Sequence, residues 1–471
     1  MKMLFSLGFV FLLCAQAPIP TNADLPTKYN YRDAITKSLL FYYAQRSGRL
    51  PANDNPISYR SDSALKDRGK NGEDLTGGYY DAGDHVKFNF PMASTTTTIA
   101  WSIIDHQLGY SSAGQLNNAI NMVKWATDFF IKAWNPATKT LYGQVSDGNI
   151  DHKFWGRPED MDQNNRPAFS ISPNAPGSDL AGETAAALAA ASMVFSSVDK
   201  GYSSRCLTHA KQLYDFAKQH QGKYHATFPK RGNSGQHYYD SSSFEDELAW
   251  SAIWLFRATK DPFYLNEAKA FYAKFGLGYR NWAFSWDDKS PGVQVMLAKL
   301  TGEEKYKNDV KGYCDPKVKQ PKTPKGLLFI TGWGSLRYAA NSAFICLQAA
   351  DLNINAQAYR KFAQQQIHYI LGDTGRSFVV GFGVNPPVKP HHRSSSCPKR
   401  PAPCGNANLV SKAPNPQILY GAMVGGPSDN RDSYVDDREN YQTNEVALDY
   451  NAGFQASLAA LQSLAVKNVF N

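Results

Sequence analysis

Apolar residues recur with helical spacing along most of this chain, and no other feature limits its fold as much. In Gln115–Trp134, the residues Leu116, Ala119, Ile120, Val123, Phe130 and Trp134 fall on one stripe. In Tyr31–Arg46, Ile35, Leu39 and Tyr42 do the same. Leu180–Val194 is alanine-rich and should pack closely against its neighbours. Twelve such stretches start near 31, 94, 115, 180, 203, 246, 262, 292, 303, 336, 357 and 446. Strands are not prominent, although Ser377–Phe382 is a candidate.

The connections between these stretches alternate in length. Short ones fall near 111–114, 197–202, 259–261, 300–302 and 351–356. Long ones cover 49–93, 137–179, 221–245, 276–291, 316–335 and 372–445. Helices joined by short connections are antiparallel neighbours. Twelve helices running alternately up and down in a ring put every long connection on one face. Loops this long in a compact domain usually carry function. The expected fold is all-α, an (α/α)6 toroid of twelve helices with a loop-built cleft on one face.

Of the 471 residues, Met1 to Ala23 reads as a secretory signal: Lys2, an apolar run from Leu4 to Leu13, then small residues. Residues 24–471 are then expected to form a single domain, secreted, unanchored and monomeric. Cys397 and Cys404 bracket a proline-rich loop and could pair locally in an exported protein. Cys206 and Cys346 fall on expected helices and read as buried thiols. No Cys-x-x-Cys pair points to zinc. The net charge of +9 comes from scattered basic residues, a solvated surface rather than a nucleic-acid stripe.

Three segments carry groups able to do chemistry. The first long loop holds Asp74-Leu-Thr-Gly-Gly78-Tyr79-Tyr80-Asp81-Ala-Gly-Asp84, with two carboxylates three residues apart. Taken alone, that pair is a turn cap, half of a calcium site, or a holder of one water. The last long loop contains Gly383, Asn385, Pro390, His391, His392 and Arg393. Its histidines alone read as a surface-loop feature or as metal ligands. The chain then runs Tyr434-Val-Asp436 to Tyr441-Gln-Thr-Asn444-Glu445-Val-Ala447, reaching Asn451 and Ala452. Glu445 lies among aromatics where a loop meets a helix, a setting that raises a carboxyl pKa and favours a proton donor. Aromatics cluster on the same loops, where each is either core packing or a platform for a sugar face.

Together these blocks resemble the signatures of family 9 glycoside hydrolases, the inverting cellulases. The likeness runs from about Tyr29 to Ala465 and is closest to animal-type members. It implies that Asp84 is the general base, that Asp81 helps position the water, and that Glu445 is the general acid. It further implies sugar contacts at His152, Trp155, Trp282, Trp333, Arg337, His391, Arg393 and Tyr450. Asp240 to Glu247 alone reads as a helix N-cap with acids in its first turn. The resemblance adds a structural calcium held by Ser242, Asp246, Asp287 and the carbonyls of Ser243 and Glu247, oxygen donors that suit calcium. Catalysis itself is expected to need no cofactor.

The implied activity is cutting of internal β-1,4 bonds in cellulose and soluble β-glucan chains. Inversion places a water between two carboxyls about 6.5–9.5 Å apart. Mixed-linkage glucan or an exo mode is the alternative within the fold. A glycan-binding protein without catalysis is the alternative of another class, and it would have no use for a paired acid and base.

Overall fold

The computed structural model describes residues 27–469, so the expected signal segment lies outside the described residues. Twelve long helices form among them. They are α1 (Tyr31–Gln45), α2 (Asn89–Ser112), α3 (Leu116–Ala133), α4 (Ser178–Phe195), α5 (Lys200–Gln219) and α6 (Glu245–Thr259). The others are α7 (Pro262–Lys274), α8 (Ser290–Thr301), α9 (Glu304–Lys319), α10 (Ser335–Ala350), α11 (Ala356–His368) and α12 (Leu448–Val466). The even-numbered helices pack side to side into a closed inner ring, and the odd-numbered helices form a layer outside it. The expected toroid is thus the observed fold.

Composition sorts the two layers. Inner α4 is buried at every residue but Met193, α10 at every residue, and α12 at every residue but Val466. Such helices are mostly small or apolar on every side, as an enclosed element must be, with charged residues such as Asp179, Arg337 and Asp449 near their N-termini. Outer α5 instead buries one stripe, including Tyr202, Cys206, Ala210, Leu213 and Ala217, and leaves its other face to water. One contiguous hydrophobic cluster extends from Tyr31 to Leu464.

Every inner helix is preceded by a long connection: 46–88, 134–177, 220–244, 275–289, 320–334 and 369–447. Every outer helix after α1 is preceded by a short one. The N-termini of all six inner helices therefore open on the face that carries the long loops. Their free N–H groups and partial positive charge face that side.

Two local expectations need correction. Helix α2 begins at Asn89 rather than near 94. Pro91 fits in the first turn because an N–H there has no intrahelical acceptor. Ser377–Phe382 is not a strand: only Val379 bridges, to Met423, and Gly381 takes a φ of +70° that turns the chain away. The real strands lie elsewhere, in β1 (Lys87–Phe88), β2 (Trp134–Asn135), β3 (Thr140–Val145) and β4 (Ala168–Ile171). β3 pairs antiparallel with the other three. This small sheet ties the loop containing Asp84 to the loop containing His152.

Cys397 and Cys404 form a disulfide, while Cys206, Cys314 and Cys346 are free and buried. No helix among the described residues is long and apolar enough to cross a membrane.

Candidate active site

The loop before α2 is folded by its glycines and by one buried cation. Gly77 and Gly78 both take positive φ, +85° and +69°, where a side chain would be strained. The Lys87 ammonium, fully buried, donates to the carbonyls of Leu75 and Gly77 and pairs with Asp67 at 2.7 Å. Arg166 binds the same Asp67 and the carbonyl of His85. A charge pair this deeply buried persists only when its remaining hydrogen-bond capacity is filled. Here it fixes both ends of the segment that presents Asp81 and Asp84.

That segment meets the last long loop at Gly83. A Cβ on Gly83 would lie 2.2 Å from the carbonyl oxygen of His391, so only glycine permits the approach. The Gly83 carbonyl accepts from the Arg393 N–H at 3.0 Å, and the Asp81 carbonyl from the Leu448 N–H at 2.9 Å. The Gly83 N–H in turn serves the Glu445 carboxyl. Asp81, Asp84 and Glu445 are in this way brought to one place by backbone contacts.

Glu445 follows a short helical turn, Tyr441–Asn444, and stands in extended conformation just before α12. Residues of the terminal block hold this junction. Tyr434 donates to Asn444, Asp436 accepts from the N–H groups of Val388 and Lys389, and Asn451 bridges Met423, Ser38 and Gly421.

Electrostatics drive the two carboxyls apart. Burial, then the charge of Asp84, pushes Glu445 up to about 8. Burial would raise Asp84 too. The hydrogen bond and charge of His152, with the charge of Arg393, outweigh it and hold Asp84 below the usual carboxylate range. Asp81 is pushed well above that range by burial and by the charge of Asp449, with Asp84 and Glu445 adding to the effect. It accepts a short hydrogen bond from the Tyr239 hydroxyl. At neutral pH Asp84 is therefore ionised while Glu445 and Asp81 are held toward their protonated forms, an arrangement suited to general base and general acid work.

The expected sugar contacts divide into two groups. Trp282 and Trp333 are open, 56% and 39% exposed, and rest edge-on or tilted against Tyr338 and Tyr441. His391 is neutral, lowered to about 4 chiefly by burial. Its Nδ1 lies 2.6 Å from the Arg438 carbonyl and must donate to it, which leaves Nε2 as a free acceptor. His152 reaches Asp84 and keeps an exposed flank.

The remaining four are buried and already engaged. Arg337 pairs with Asp449 at 2.6 Å beneath Tyr450, Arg393 pairs with Asp151, and Trp155 donates to Ser396 at 2.9 Å while packing on His391. Tyr450 is 3% exposed. Arg337 Nε and Arg393 Nε have no hydrogen-bond partner among the described residues, so each guanidinium keeps a donor beyond its ion pair. His392 is not a surface feature: it is buried, bound to Gln45, and caps a short turn.

Sequence gives Asp449 and Asp151 no role, and Tyr239 only a place among the loop aromatics. Their partners lie 112, 242 and 158 residues away, so no local spacing marks them.

Oxygen donors also gather at the start of α6. The Ser242 N–H donates to Asp287 at 2.7 Å and the Lys289 N–H to Asp246 at 2.6 Å, which joins two loops. Burial and the charge of Asp288 push Asp246 up to about 8, a state that a bound cation would reverse. Of the five expected donors, the Glu247 carbonyl is least available, because it already accepts from Ser251 at 2.7 Å. The Ser243 carbonyl accepts from Ser241 at 2.6 Å.

Residues 31–458 match the Glycosyl hydrolase family 9 profile. A solved endoglucanase from the termite Nasutitermes takasagoensis is 56% identical, covers 93% of this chain and 100% of its own, and superposes with a TM-score of 0.90. Endoglucanase B of Cellulomonas fimi is 44% identical over 94% of this chain, which spans 43% of that protein's length. Endoglucanase CelQ of Clostridium thermocellum, solved with cellotriose, is 34% identical over 93% of this chain and 71% of its own, with a TM-score of 0.81. The chain belongs to glycosyl hydrolase family 9, and it is a glycoside hydrolase of the endoglucanase class.

Proposed function

We propose that this chain hydrolyses internal β-1,4 bonds of cellulose and soluble β-glucan with inversion, using Asp84 as base and Glu445 as acid. The observation that carries this reading is two carboxyls brought together at Gly83 in unlike settings, a buried Asp84 held by His152 at 2.8 Å and a half-buried Glu445 pushed toward its protonated form. Glu445 gives its proton to the leaving glycosidic oxygen. Asp84 takes a proton from the water that attacks the anomeric carbon from the other side. Asp81, kept neutral by its surroundings, orients that water. His391 Nε2 accepts from a sugar hydroxyl, and the exposed faces of Trp282 and Trp333 pack against pyranose rings. The cellotriose bound to the CelQ relative supports a β-glucan chain in this cleft.

Secretion is supported by the apolar segment before Ala23 and by the Cys397–Cys404 disulfide, which suits an oxidising compartment. Nucleic acid and membrane are not expected partners, and the protein should act as a monomer. A structural calcium at Ser242, Ser243, Asp246, Glu247 and Asp287 is supported by the joined loops and the charge strain on Asp246. Elemental analysis of the purified protein should find calcium; a metal-free folded protein would remove it.

The internal mode is tested by plotting the viscosity of carboxymethylcellulose against reducing ends released. Viscosity should collapse early. A slow fall with one dominant small product would mean end-wise cutting.

A further inference from the structure

We propose that Cys314 and Cys346 are a modification site: in the exported protein they close a second disulfide, which staples outer helix α9 to inner helix α10. The proposal rests on export to an oxidising compartment, part of the function proposed above. In this structure both cysteines are thiols, and neither is exposed to solvent. The two side chains meet inside the fold, where the Cys314 thiol is in hydrogen-bonding contact with Cys346.

A bonded pair needs two sulfurs that face each other from neighbouring backbones. Helix α9 packs against α10, and their register is fixed one residue before Cys314. There the Tyr313 hydroxyl lies 3.3 Å from Ser342 Oγ and accepts from the Phe284 N–H at 3.2 Å. Ser342 and Cys346 stand one helical turn apart, so they share the face of α10 that meets α9. Helix α9 is also tied to α11, because Tyr359 donates to Asp315 at 2.6 Å. With the helices held in register, closure calls on side-chain rotation alone. Cys206 is a contrast. Its side chain bonds to Tyr202 and feels the charges of Asp128, Arg205 and Lys124, none of them a thiol.

The bond forms by exchange with a disulfide oxidant, either a small-molecule or a protein disulfide met during export. One cysteine thiolate attacks the oxidant, breaks its S–S bond and releases one thiolate, which takes up a proton. The second cysteine attacks the mixed disulfide and releases the other oxidant thiol. The two cysteines lose two protons and two electrons, and the oxidant disulfide becomes two thiols. Thiolate is the attacking species. The sulfurs interact with the ammonium groups of Lys317 and Lys322, and Lys317 favours the Cys314 thiolate while burial opposes it. Exchange therefore belongs to the stage of folding before α9 seats on α10, when an oxidant still reaches the pair.

The bond has a consequence for the working face. The connection 320–334 lies between the two cysteines and carries Trp333. Closure makes that connection part of a covalent loop, which restricts the unfolded chain.

The test takes the secreted protein as purified, from which Cys14 is expected to be absent, and unfolds it in denaturant with a thiol-alkylating reagent present. Intact mass counts the alkylated cysteines, and peptide mapping without reductant locates the bonds. One alkylated cysteine, Cys206, is expected, with a cross-linked pair of peptides containing Cys314 and Cys346. Three alkylated cysteines, with the Cys397–Cys404 bond intact, would overturn the proposal and leave export untouched. Alkylation of all five would overturn the reading of an oxidising compartment together with the proposal. Cys314→Ala checks the pairing: its count should rise to two, because Cys346 loses its partner. A count that stays at one would mean that Cys346 bonds elsewhere, and would also overturn the proposal.

Discussion

Glu445→Gln should lose at least about 10²-fold in turnover on cellulose while keeping its fold, because only the transferable proton is removed. The carboxyl is half-buried and pushed up to about 8, so at neutral pH it is mostly protonated and uncharged. An amide copies that neutral state in size and polarity. Its oxygen can still accept from the Gly83 N–H, and the start of α12 rests on backbone contacts that the change leaves alone. Binding of cello-oligosaccharide should persist for the same reason. Turnover near wild type in a protein that melts normally would take Glu445 out of the acid role.

Asp84→Asn should abolish most hydrolysis, with a loss again of at least about 10²-fold, and Asp81→Asn should hurt less. The difference follows from the two environments. Asp84 is held ionised by His152 and Arg393, and an amide cannot take the proton of the attacking water. Asp81 is held neutral by burial and by Asp449, and Asn resembles that neutral group. Its short bond from Tyr239 can pass to the amide oxygen. Kinetics of the two folded variants on one soluble substrate compare them directly. If Asp81→Asn were the more damaging change, the base assignment would move to Asp81.

Much of this fold could be read from the order of its connections. Inner and outer helices differ in periodicity, and long loops precede only the inner ones, so both ring and working face were accessible before any coordinates. The start of α2 was not, because Pro91 resembles a helix breaker unless its place in the first turn is known. The small sheet was not either: two of its strands are two residues long and have no periodicity to detect.

In the site, Asp84, Glu445 and His391 stand in motifs and were named from them. Arg393 stands in the same kind of string, and Arg337 follows from the family likeness alone; the two guanidinium groups pair with Asp151 and Asp449. A motif marks that a residue matters without saying whether it faces the substrate or a neighbour. Deciding that requires the distant partner, which only the folded chain supplies.

Stereochemistry tests the central claim most directly. Proton NMR in the first minutes of cello-oligosaccharide hydrolysis distinguishes the anomers before mutarotation mixes them. Water activated by Asp84 on the face opposite the leaving group inverts the anomeric carbon, so the product should emerge first as the α-anomer. An initial β-anomer would mean a retaining enzyme, with one carboxylate acting as nucleophile, and would contradict the roles assigned to Asp84 and Glu445.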